Sequence, residues 1–185
     1  KEPIAAAYYY RDVTLMSQMA KIIGKEEDVA TYAELAHKIA AAFNKKYFHP
    51  VDAWYEGKTQ TANLLPLAFG LVPQQQIAAV VRNIAEDVRS RDTHLTTGFL
   101  GTSVILPMLS RYGYHDLAYQ LASQKTFPSW GYMVEKGATT IWELWNSDTE
   151  GPGMNSRNHF AFGSVGRWFY DYLAGLRIDV QHPGY

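Results

Sequence analysis

The chain has 185 residues, of which 47% are apolar and 19% charged, and its formal net charge is -1, a balance that describes a globular protein with a buried core. Such near-neutrality gives no electrostatic reason to bind nucleic acid or a lipid surface, and no apolar run reaches the ~20 residues that a membrane span needs. The absence of cysteine excludes disulfides, zinc-thiolate sites and cysteine nucleophiles, and leaves the compartment unassigned.

Residues 3–23 favour helix, with Ala5, Ala6 and Ala7 leading to Met16, Met19, Ala20 and Ile23, and Gly24 stands where the helix would stop. The next segment begins with Glu26, Glu27 and Asp28 and ends with Lys45 and Lys46. Val29, Tyr32, Ala33, Ala36, Ile39, Ala40, Phe43 and Tyr47 recur within it at three-and-four spacing. Acids at the start and bases at the end suit the helix dipole, so this segment is expected to be an amphipathic helix.

A loop through His49, Pro50, Asp52 and Gly57 precedes an apolar stretch over 61–71 that Pro66 is expected to break. Pro73 then opens an amphipathic helix carrying Ile77, Val80, Val81, Ile84 and Val88. The alternation repeats. Residues 99–109 are apolar nearly all round, with Gly101 and an internal Pro107, whereas 116–125 place Leu117, Ala118, Leu121 and Ala122 on one side only. A glycine-rich, aromatic loop is expected over 130–158. A last helix follows between Gly163 and Leu176, and the alternation of 177–180 predicts the start of a β-strand.

Uniformly apolar helices paired with amphipathic ones suit an all-α toroid of paired helices or a helical solenoid. No fixed sequence period is present, which disfavours the solenoid. Lys1 opens the chain without a methionine, which reads as a piece of something larger.

Aromatic residues make up 14% of the chain, including five Trp and thirteen Tyr, and core packing accounts for most of them. The densest group lies in the run from Trp130 to Asp148, where Glu143 stands between Trp142 and Trp145. Sugars present C–H faces that pack on rings and hydroxyls that need donors and acceptors, so this arrangement fits a carbohydrate site. The alternative is structural: both tryptophans in the core, with Glu143 solvated or paired with a base such as Arg157. Glu135 beside Lys136 reads as a solvated pair.

Downstream, Asn155, Ser156, Arg157, Asn158 and His159 concentrate donors and acceptors before the last helix, and either ring nitrogen of His159 can bond a sugar hydroxyl. Gly151, Pro152 and Gly153 form a turn rather than a phosphate cradle. His37, His49, His94, His115 and His182 lack metal-ligand spacing, so no metal is expected.

Three motifs, in order, carry a resemblance. They are Thr97-Gly98-Phe99-Leu100-Gly101-Thr102, Gly137-Ala138-Thr139-Thr140-Ile141-Trp142-Glu143, and Asn158-His159-Phe160-Ala161-Phe162-Gly163-Ser164-Val165. Together they closely resemble bacterial α-L-rhamnosidases of glycoside hydrolase family 78. The resemblance implies an (α/α)6 toroid, with 1–176 as the C-terminal half of the catalytic domain and 177–185 as a linker or first strand of a further β domain. It also implies an inverting hydrolase of terminal α-L-rhamnosides that needs no cofactor.

On the same resemblance, Glu143 is the general base, His159 contacts the rhamnose ring, and Trp142 and Trp145 are pocket walls. The family's general acid has no counterpart in this chain, so the chain alone is expected to be inactive and to self-associate or pair with the N-terminal half. A bacterial cytoplasm or periplasm is the implied compartment. Two other readings stay open: a glycosidase or lyase of the same fold acting on another sugar, and a non-catalytic helical module that binds glycan or protein.

Overall fold

A computed structural model describes residues 2–151, 153 and 156–179. The all-α class is as expected: eight α-helices and one two-residue-wide hairpin occupy the described residues, and their contacts divide the chain into two units, Lys1–Asn83 and Ile84–Tyr185.

In the first unit, α1 (Glu2–Ile22) and α2 (Glu26–Tyr47) form a helical hairpin, and α3 (Gln60–Phe69) packs on α1. The turn after α1 is closed by the Lys25 N–H donating to the Ala20 carbonyl at 2.9 Å, the bond expected one residue past a left-handed glycine cap. On α2 the predicted stripe delivers Ala36, Phe43 and Tyr47 to the core, while Ala33 stays exposed. Strands β1 (Phe48–His49) and β2 (Trp54–Tyr55) pair antiparallel within the expected loop.

Pro66 does not break α3. It removes one intrahelical donor, but Leu64, Leu65, Pro66 and Leu67 are all buried, and Thr59 caps the helix by accepting from the Ala62 N–H. Burial of this face holds the helix through the proline. Asn63 is fully buried beside it. Its Oδ1 accepts from the Tyr55 N–H at 2.8 Å, and its Nδ2 donates to the Thr59 carbonyl. Tyr55 in turn donates its hydroxyl to Asn44 Oδ1 at 2.7 Å, and burial pushes the phenol well above its ordinary ionisation range.

One face of α1 remains open. Tyr9, Met16 and Met19 recur on it at helical spacing and Ile23 follows just past its end; they are 52%, 44%, 58% and 69% exposed. Ala7, Val13 and Ala20 of the same helix are buried.

Helix α4 (Ile77–Ser90) spans the boundary between the units, and in the second unit α5 (Phe99–Arg111) and α6 (His115–Ala122) form another hairpin. Gly101, Thr102, Ile105, Leu106, Met108 and Leu109 of α5 are buried, against Leu117, Ala118 and Leu121 of α6, which matches the alternation of wholly apolar and one-sided helices. Pro107 also sits inside its helix.

Two expectations for this unit are corrected. The presumed loop after Ser129 begins with a helix, α7 (Trp130–Glu135), capped by the Ser129 hydroxyl accepting from the Tyr132 N–H at 2.9 Å. The last helix is composite: a 3-10 turn Ala161–Ser164, α8 (Val165–Trp168) and a π-turn Phe169–Leu173. Trp168 anchors it, 1% exposed, with its indole N–H donating to the Ser110 hydroxyl of α5 at 2.9 Å. Residues 177–179 are irregular, and the rest of the predicted strand lies outside the described residues, as do His182, Pro152 and Asn155.

Candidate active site

The three motifs, far apart in sequence, meet in the second unit. Trp145, two residues past Glu143, donates its indole N–H to the carbonyl of Thr97 in the first motif at 3.0 Å. Its ring stacks on Phe162 of the third motif at a centroid distance of 3.9 Å and meets Trp130 edge-on at 5.2 Å. Trp130 closes the group by donating to the Phe162 carbonyl at 2.8 Å. Within the first motif Thr97 and Thr102 are buried and share a hydroxyl bond of 2.7 Å, so its polar groups hold the start of α5 in place.

Glycine serves the second motif by ending α7. Gly137 has φ +83°, and the Ala138 N–H reaches back to the Met133 carbonyl at 2.9 Å, so the chain turns sharply into the run that carries Glu143. At Gly131 the reason is proximity. A Cβ there would lie 2.2 Å from the Gln124 carbonyl oxygen, so only glycine lets α7 approach that backbone.

Glu143 and His159, 16 positions apart in the chain, are brought onto adjoining segments. The Glu143 N–H donates to the Ser156 carbonyl at 3.1 Å, and the His159 N–H donates to the Ile141 carbonyl at 2.8 Å. Both residues are half-buried. His159 Nδ1 accepts from the Ala161 N–H at 3.2 Å. In the neutral ring that bond leaves the proton on Nε2, so the free edge of His159 is a donor suited to a hydroxyl or ring oxygen.

Both tryptophans support the loop from within. Trp142 is 5% exposed and packs with Met133 and Phe162 in a local core against which Ile141 and Trp145 also lie. Trp142 also lines a hollow of about 380 Å³, and Trp145 is half-buried, stacked on Phe162. Thr139, Thr140, Lys136, Asp148 and Arg157 line the same hollow, whereas Glu143 and His159 lie outside its lining.

Asp148 is a further candidate, and no motif or spacing singles it out. Its Oδ2 accepts from the Tyr132 hydroxyl at 2.8 Å and lies 4.0 Å from Lys136 Nζ, while its Oδ1 is buried. The bond to Asp148, aided by burial, raises the Tyr132 phenol above its ordinary value. Lys136 is thus drawn away from Glu135, which instead pairs with Lys125 at 3.7 Å. Neighbours in sequence on a helix end do not share a face, which explains why the expected Glu135–Lys136 pair does not form. Among the described residues no cluster of histidine and carboxylate ligands that could hold a metal is present.

Paired helices that deliver a carboxylate, a hydrogen-bonding imidazole and a cluster of rings to one set of loops are the architecture of helical-hairpin glycosidases. The family model of the bacterial α-L-rhamnosidase six-hairpin glycosidase domain matches residues 1–173, and the chain belongs to that family. It is 42% identical over 181 residues to an α-L-rhamnosidase of Streptomyces avermitilis, covering 95% of this chain and 17% of that protein. Against an α-L-rhamnosidase of Alteromonas sp. strain LOR it is 41% identical, covering 98% and 20%.

The crystal structure of the Streptomyces avermitilis α-L-rhamnosidase complexed with L-rhamnose superposes with a TM-score of 0.92 at 41% identity, covering 99% of this chain and 18% of that one. The structure of the α-L-rhamnosidase from Dictyoglumus thermophilum gives 0.89 at 45% identity, covering 97% and 20%. The chain therefore spans about a fifth of the length of the relatives it matches.

Proposed function

We propose that this chain is the base-bearing part of an α-L-rhamnosidase that cleaves terminal α-L-rhamnosides with inversion, Glu143 activating the attacking water. The observation that carries the reading is the placement of Glu143 and His159 on two adjoining, hydrogen-bonded segments within a family-typical motif.

Inverting hydrolysis uses one carboxylic acid to protonate the departing oxygen and one carboxylate, about 6.5 to 9.5 Å away, to take a proton from water on the opposite sugar face. Glu143 fills the second role. The acid comes from elsewhere in a longer polypeptide, so residues 1–176 act as part of a catalytic domain and not as an enzyme alone. His159 donates through Nε2 to the rhamnose, and Trp142 and Trp145 hold the loop beneath the sugar more than they face it.

The test is the stereochemistry of the first product. Proton NMR of an aryl α-L-rhamnoside treated with the full-length enzyme is expected to show β-L-rhamnose before mutarotation. α-L-Rhamnose appearing first rejects inversion.

The open stripe of Tyr9, Met16, Met19 and Ile23 supports the same reading, because a contiguous apolar face is covered in a working protein. The separately expressed 185-residue chain is expected to self-associate in sedimentation experiments, and Met16→Lys with Met19→Lys to shift it towards monomer. A parent chain already monomeric at every concentration contradicts this.

A further inference from the structure

Arg157 holds both ends of the segment that carries Glu143. Three residues before Glu143, the Thr140 hydroxyl donates to the Arg157 carbonyl. Four residues after Glu143, the carbonyl of Ser147, a fully buried residue, accepts from Arg157 Nη2 at 3.1 Å. Between these two ties run the Glu143–Ser156 and His159–Ile141 backbone bonds. One residue thus connects 140, 147 and, two positions along its own chain, His159.

From this juxtaposition we infer that Arg157 is a positioning residue, whose guanidinium and carbonyl fix the Glu143 segment against the His159 segment. The inference rests on the reading of Glu143 as the base. Arginine suits the task because its rigid, permanently charged fork can reach a buried carbonyl from a solvated side chain, where a neutral side chain of equal length donates nothing. Thr140 supplies the second tie without charge, and Ser147 is itself held by its hydroxyl donating to the Leu144 carbonyl at 2.9 Å, so the far end of the clamp does not drift.

A base displaced by about 1 Å loses on the order of 10²-fold in rate, since attack requires water, carboxylate and anomeric carbon in line. In the full-length enzyme Arg157→Met is therefore expected to lower kcat per folded molecule by about ten- to a hundredfold while leaving KM nearly unchanged. Arg157→Lys, which keeps a charged donor, recovers part of the loss. Hydrogen–deuterium exchange of the Glu143 and His159 amides is expected to quicken in Arg157→Met and to return towards the parent rate in Arg157→Lys, a readout that does not depend on catalysis.

Unchanged amide exchange in Arg157→Met, or unchanged kcat per folded molecule, overturns the inference. Glu143→Gln measured alongside separates the two readings. If Glu143→Gln is inactive and Arg157→Met is not impaired, only the positioning role falls. If Glu143→Gln is fully active, the base assignment falls, and the positioning role falls with it.

Discussion

Glu143→Gln in the full-length enzyme is expected to lose about 10²–10⁴-fold in turnover of an aryl α-L-rhamnoside, the range that a positioned general base contributes. The substitution keeps the volume and one hydrogen-bonding oxygen but removes the group that accepts the proton. The Glu143 N–H bond to the Ser156 carbonyl is a backbone bond and survives it. Folding should therefore be unaffected, with circular dichroism and thermal midpoint as in the parent. Because the lost interaction belongs to the transition state, kcat should fall and KM change little. Turnover within a few-fold of the parent contradicts the role given to Glu143.

Trp145→Ala is expected to cost stability as heavily as Glu143→Gln costs activity. The indole stacks on Phe162, meets Trp130 edge-on and donates to the Thr97 carbonyl, so its removal separates all three motifs at once. Truncating a buried tryptophan to alanine costs about 3–5 kcal/mol, and half-burial puts this site near the lower end. Trp145→Phe keeps one ring for the stack and loses the indole bond with part of the ring area, so it should cost less, about 1–2 kcal/mol. Denaturant unfolding of the two variants checks both figures. Equal stabilities would show that the Thr97 bond, and not the stack, holds the loops.

Local signals were legible wherever the chain satisfies itself locally. The acids and bases at the ends of α2, its three-and-four stripe and the glycine after α1 mark those helices without any knowledge of their partners. By contrast α7 is only six residues long, contains Gly131 and is rich in rings, so propensity argues against it. Its signals are the Ser129 cap and the glycine stop at Gly137, which are equally compatible with a loop.

Pro66 differs from expectation for a related reason. Pro66 is a helix breaker in isolation, but burial of α3 outweighs one lost donor. For the candidate site, the motifs single out Glu143 and His159 as candidates, while nothing in their spacing indicates that Arg157 reaches Ser147 or that Tyr132 reaches Asp148. Those partners come together only when α7 and the composite last helix are packed. A ring beside a candidate glutamate can serve the loop's own core and a hollow's lining together, and Trp142 does both.

Azide rescue of Glu143→Ala in the full-length enzyme measures the proton-abstracting role most directly, because azide attacks an anomeric carbon without needing a base. Added azide should raise the rate of aryl α-L-rhamnoside cleavage and yield the β-L-rhamnosyl azide. A folded Glu143→Ala enzyme that azide does not accelerate, or one that already hydrolyses at the parent rate, contradicts the assignment of Glu143 as the base.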